Sequence, residues 1–269
     1  MEAITSADEV AELRGIFDGL FASRAGWEQG RAFDLAGADE AGKEPVLPQI
    51  INPVEFAPAL ASTRFRVNAL AIARQLIGPG AEPWFEHAIN KPARIGAATP
   101  WHQDEAHRYD PGVDYEQISI WMPLQPATLE NGCMQYIPGS HRGPVLEHHS
   151  LNDDPRISAL ECCATFDATK AVACPLPAGG AAIHHCRTLH CASANVTGQP
   201  RRAYILAFRG APVPAPAREM FPWLRGKQTP AAQRAASWEN RGGAVGRAGR
   251  AAAGVARRAA RKISRMFRK

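Results

Sequence analysis

Apolar residues in the first 80 positions recur every three or four residues; further on they alternate with polar ones in short runs. Over residues 6–22, Val10, Leu13, Ile16, Phe17, Leu20 and Phe21 make one stripe. Ser6 followed by Glu9 has the pattern of a capping box, so a helix is predicted there. A second stripe, Phe65, Ala69, Ile72, Ala73, Leu76 and Ile77, predicts a helix over residues 62–77, stopped by Gly78-Pro79. Residues 23–46 mix Gly, Ala and charge without a period and are predicted to be a loop lying over the mouth of a site. The runs 84–90, 117–123, 134–137, 181–185 and 202–208, divided by Gly, Pro and Asn, predict short strands. That rhythm points to a closed or double-sheet β architecture.

With 269 residues and 45% hydrophobic content, the chain can fill one large core. It has no apolar run of the ~18 residues that suggest a membrane span. The acidic start, Met1 to Glu9, lacks the basic and apolar regions of an export signal. Six cysteines, at 133, 162, 163, 174, 186 and 191, show no Cys-x-x-Cys spacing, which favours reduced thiols, a cytoplasmic setting and no structural zinc. The net charge of +5 is uneven: residues 241–269 hold ten Lys or Arg and no acid, so the other 240 carry −5. The tail places Val255, Ala259, Ile263, Met266 and Phe267 on one helical face, which suits an anionic membrane surface or an acidic partner. A plain solvated tail is the alternative, and nucleic acid fits less well.

His102 and Asp104, in Pro100-Trp-His-Gln-Asp104, lie two residues apart, which on an extended chain points both to one face and Gln103 to the other. His190 supplies a second imidazole. Two His and one carboxylate with open positions form the ligand set of a non-haem Fe(II) oxygenase; the bland alternative is hydrogen-bonded core residues. Eleven residues later Arg201 heads a strand, and its fork suits a dicarboxylate co-substrate. Arg202, its neighbour, must face the other way, toward solvent or an acid. Of His184 and His185, one is predicted to face inward as a hydrogen-bonded core histidine without a metal role. His141, His148 and His149 are predicted to be turn and surface residues, and His107 to Tyr109 to line a loop at the mouth.

Asn90-Lys91-Pro92, His102-Gln103-Asp104, Trp121, Asn131-Gly132-Cys133, Ile137-Pro138-Gly139-Ser140-His141, and His190 with Arg201 occur in an order that resembles the phytanoyl-CoA dioxygenase family, over roughly residues 45–210. The resemblance implies a mainly β fold with flanking helices around a double-stranded β-helix, a cupin-like jelly roll. It makes residues 1–210 the oxygenase domain; composition predicts 211–240 to be a Pro/Ala-rich linker whose Phe221 and Trp223 dock on that domain, and 241–269 to be the basic tail. It also implies an Fe(II)- and 2-oxoglutarate-dependent dioxygenase that hydroxylates a C–H bond of a small molecule. Such an enzyme consumes O2 and releases succinate and CO2, with ascorbate as a candidate reductant. His102, Asp104 and His190 would hold the metal and Arg201 the 5-carboxylate of 2-oxoglutarate. Trp121 and His87 fall where the family lines the co-substrate pocket, and Gln49 near a lysine position there; His87 stands in place of a thioether. Ala192 stands where a hydroxyl is familiar, with Ser193 beside it as a substitute. A carboxylate at Asp104 favours hydroxylation over halogenation. The same site used for desaturation or cyclisation, and a non-catalytic metal-binding jelly-roll sensor, are the alternatives.

Overall fold

The computed structural model describes residues 1–40 and 42–242, so most of the basic tail, from residue 243 on, lies outside the described residues. Ser6 caps helix α1 (Ala7–Ala22) by accepting from the Glu9 amide at 3.3 Å. Glu9 does not complete a capping box. Its carboxylate accepts from the amides of Arg64 at 2.6 Å and Phe65 at 2.9 Å, so it caps α2 (Arg64–Ile77) alongside Thr63.

The stretch predicted as a loop over the site contains strand β1 (Ala32–Asp34), which pairs with β2 (Pro48–Ile51) at an edge of a sheet. Asp34 explains the difference, because its carboxylate accepts from the amides of Ala36, Val46 and Leu47 and closes the chain against itself. The chain continues through β3 (Glu82–Lys91), β4 (Thr99–His102), β5 (Val113–Asp114), β6 (Gln117–Pro123), β7 (Met134–Tyr136) and β8 (His148–Ser150). It then runs through β9 (Leu160–Cys162), β10 (Val172–Cys174), β11 (Ala182–His185), β12 (His190–Ala192), β13 (Arg201–Arg209) and β14 (Val213–Pro214). Two antiparallel sheets, in the orders β1-β2-β3-β13-β6-β11 and β10-β7-β12-β4, make a jelly-roll core.

Alternation sorts the larger sheet. Tyr204, Leu206 and Phe208 of β13, with Ile118, Ile120 and Met122 of β6 and Ala88 of β3, pack on Leu13, Phe17, Phe65 and Ala69 of the two helices. Tyr204 meets Phe17 and Phe65 edge-on, each at 5.2 Å, and its hydroxyl donates to Glu86, which also accepts from Arg66. Register places Gln49, His87, Ile89, Arg201, Ala203, Ile205, Ser119, Trp121 and His184 together on the opposite face, toward the smaller sheet.

Residues 211–240 are not a free linker. They form β14, paired with β5, then α3 (Pro222–Arg225) and α4 (Pro230–Arg241). Their polar side chains tie them down: Trp223 donates to Ala106 O at 2.9 Å, and Lys227 to the carbonyls of Ile157 at 2.6 Å and Ser158 at 2.9 Å. Arg234 of α4 donates to Trp27 O at 3.0 Å, Ala32 O at 2.9 Å and the buried Asp39 carboxylate at 2.8 Å. Proline and alanine content is a poor guide here because a few cations find buried carbonyls. Removing one partner of a mostly buried ion pair costs about 3 kcal/mol. Arg234→Ala is therefore expected to lower the denaturation midpoint and to open the segment beyond residue 211 to protease, as seen in denaturant titration and timed proteolysis.

Candidate metal and co-substrate site

Strand β4 ends at His102. Gln103 stays extended, with φ −121° and ψ 132°, and Asp104 begins a 3-10 turn through His107. The two ligand candidates thus share a face although they do not share a strand. His190 pairs across β12 with His102 on one side and Tyr136 on the other. Asp104 Oδ1 lies 3.7 Å from His102 Nε2 and 3.6 Å from His190 Nε2, and ligand atoms of all three fall within 4.8 Å of one another.

Each imidazole is oriented by its own chain. His102 Nδ1 meets Pro100 O at 2.8 Å and His190 Nδ1 meets Thr188 O at 2.7 Å, so both Nδ1–H groups donate and both Nε2 lone pairs face the gap. Burial drives His190 well below the usual 6.5 and lowers His102 too, leaving neutral donors. Burial opposes the charge on Asp104, but His190, His184 and His102 around it hold its carboxyl well below the usual carboxylate range. Two neutral nitrogens and one anionic oxygen suit a first-row divalent ion such as Fe(II).

Arg201 lies fully inside. Its Nε donates to Asn131 O at 3.4 Å, its guanidinium lies 5.4 Å from the Trp121 ring centroid, and its Nη1 has no partner. Among the described residues no carboxylate pairs with it, and burial pulls it down to about 9. Trp121, Ala192, Ala203 and Ile205 form the apolar wall beside it. His87 is half-buried, with its Nδ1 enclosed and without a partner, and desolvation lowers it to about 4. Gln49 is buried opposite Ile89 on the same face. The arrangement offers an apolar-walled, cationic slot with unfilled donors on the same inner sheet face as Ser119 and His184, which reach Asp104, a chemical match for a carboxylate.

Several residues differ from their predicted places. Ser193 turns away from the inner face and its hydroxyl accepts from Gln135 at 2.9 Å, so it does not replace a hydroxyl at Ala192. His148 is buried rather than superficial: its Nε2 accepts from the Gln103 amide at 3.2 Å, bracing the strand between two ligands. Ser119 and His184 reach Asp104 Oδ2 at 2.8 and 3.3 Å. Sequence periodicity carries the signal for Ser119, which shares a face with Trp121, but not what it touches. Arg202 faces outward and pairs with Asp18. His107 is exposed, its ring 6.2 Å from that of His102, and a cavity of about 440 Å³ lies between His148 and His149 of β8 and Pro222 and Trp223 of α3.

Residues 1–203 match the phytanoyl-CoA dioxygenase (PhyH) family. A solved structure of EvdO2 from Micromonospora carbonacea var. aurantiaca, complexed with 2-oxoglutarate, superposes with a TM-score of 0.69 at 41% identity, covering 83% of this chain and 90% of that one. The probable alpha-ketoglutarate-dependent hypophosphite dioxygenase of Stutzerimonas stutzeri is 26% identical over 169 residues, 62% of this chain and 58% of that protein. L-proline trans-4-hydroxylase of Streptomyces griseoviridis is 30% identical over 165 residues, 53% of this chain and 60% of that protein. The chain thus spans less than two thirds of the length of either curated relative.

Burial lowers both His87 and His148 from 6.5 to about 4. The unfolded chain takes up those protons below pH 6.5, while the native one refuses them until about 4. Stability of the metal-free protein therefore falls as pH drops through that window, by ~3 kcal/mol for His87 alone. Denaturant titrations at neutral pH and near the lower end of the window should show this fall, and His87→Phe should reduce it, leaving the part due to His148.

Proposed function

Because the chain belongs to the phytanoyl-CoA dioxygenase family, we propose that it is an Fe(II)- and 2-oxoglutarate-dependent dioxygenase that hydroxylates a C–H bond of a small organic substrate. The observation that carries this reading is the buried guanidinium of Arg201, with no carboxylate partner among the described residues, in a domain that also gathers His102, Asp104 and His190. A buried charge without a counter-ion is costly, so the fold pays for it only if an anion arrives.

His102, Asp104 and His190 would hold the metal, the imidazoles turned by Pro100 and Thr188 so that no proton would need to leave Nε2 before iron binds. Arg201 takes the 5-carboxylate of 2-oxoglutarate, with Trp121 below it and Ala192, Ala203 and Ile205 keeping water away. His87 and Gln49 border the same slot from β3 and β2. When bound, iron and the keto acid supply O2 activation, oxidative decarboxylation to succinate and CO2, and oxidation of the substrate.

Anaerobic addition of Fe(II) and 2-oxoglutarate is expected to produce the weak visible charge-transfer band of the chelate in wild type, and none in His190→Ala. Arg201→Met should weaken 2-oxoglutarate by about 2–5 kcal/mol. The ligand-free Arg201→Met protein should be at least as stable as wild type, since an unpaired buried charge is gone. A wild-type protein that holds iron yet gives no band would contradict the proposal.

A further inference from the structure

Strand β6 reads Gln-Ile-Ser-Ile-Trp-Met-Pro, and β11 reads Ala-Ile-His-His. Register makes Ser119 and His184 direct cross-strand partners, as it does Trp121 and Ala182. Directly opposed residues put their side chains on the same face. Both of these therefore point into the barrel, and both reach a single atom: Ser119 Oγ donates to Asp104 Oδ2 at 2.8 Å, and His184 Nε2 lies 3.3 Å from it. The other oxygen, Oδ1, is the one that faces the Nε2 atoms of His102 and His190.

The tautomer of His184 follows from its second neighbour. Tyr136 Oη lies 3.3 Å from His184 Nδ1. A phenol O–H donates well to a ring nitrogen, so Nδ1 accepts and the N–H of Nε2 is directed at Asp104. With both nitrogens engaged, His184 has no lone pair to offer a metal, although its ring centroid lies 4.4 Å from that of His190.

We propose that Ser119 and His184, the latter oriented by Tyr136, are positioning residues that hold Asp104 to ligation through one oxygen. The inference rests on the metal reading above. An octahedral ion held by His102, Asp104 and His190 would keep three positions open for the co-substrate and O2. A carboxylate free to swing and bind through both oxygens would take one of these three. Two hydrogen bonds on Oδ2 prevent the swing and leave Oδ1 as the donor, the usual task of groups behind a ligand.

The test uses the full chain, anaerobically, as wild type, Ser119→Ala, His184→Phe, the double variant and His184→Gln. Three quantities are read: the Fe(II) dissociation constant, the 2-oxoglutarate dissociation constant from the charge-transfer band, and the melting temperature of the metal-free protein. Ser119→Ala and His184→Phe are each expected to weaken Fe(II) by about 10- to 100-fold and to displace the band. His184→Gln, which keeps an N–H for Oδ2 and a carbonyl for Tyr136, should restore affinity to within about threefold of wild type. A folded double variant with unchanged Fe(II) and 2-oxoglutarate constants overturns the inference. So does a loss of affinity that merely follows metal-free melting temperature and is not rescued by glutamine. If wild type itself binds no iron, or binds iron without the band, the underlying function reading fails, a result distinct from either of these.

Discussion

Everything in this molecule depends on the two-residue alternation of β13, held between β3 and β6. One face of that strand, Tyr204, Leu206 and Phe208, supplies the apolar surface on which α1 and α2 settle. The other, Arg201, Ala203 and Ile205, supplies the cation and the floor of the slot. A shift of one residue in register would put Tyr204 in the slot and Arg201 under the helices, so burial of the helical core also secures the chemistry.

Charge is handled differently on each side of that strand. Lys91, directly opposite Arg201 and equally buried, spreads its ammonium over the carbonyls of Ala97 at 2.6 Å and Ser193 at 2.9 Å. Arg201 has a carbonyl at 3.4 Å and a free Nη1. Two cations with the same burial thus have opposite standing: one is saturated by the fold and the other is left waiting. The metal-ligand cluster follows the same logic, since burial strips His102 and His190 of protons while Asp104 keeps its charge, with Ser119 and His184 on its Oδ2. The site is therefore a local cost to stability that a dianionic ligand and a divalent ion would relieve together.

The segment after β13 adds a layer that composition disguises. Trp223, Lys227 and Arg234 each seek backbone carbonyls from distant parts of the chain, and Trp223, through Ala106 O, braces the turn that begins at Asp104. The wall of the outer cavity and the ligand turn are in this way one mechanical unit.

Much of this was legible along the chain because it depends on local spacing. Stripes of period 3.6 marked α1 and α2, alternation marked the strands, and the His102-x-Asp104 spacing with His190 picked out three side chains that do converge. Ser119 escaped attention, His148 was expected at the surface, and His184 was expected only to face inward with hydrogen bonds, because what each of them does lies in what faces it. Ser119 and His184 meet only through the β6–β11 register, and Asp104 arrives from a turn in the other sheet. Glu9 capping α2 instead of its own helix, and Arg234 reaching back to Asp39, are of the same kind. The sequence by itself determined which residues lie on which side of each helix and strand, since that follows from backbone geometry. Only the tertiary structure decided which polar groups find partners and which are left unpaired, because hydrogen bonds between distant segments depend on the relative placement of whole sheets.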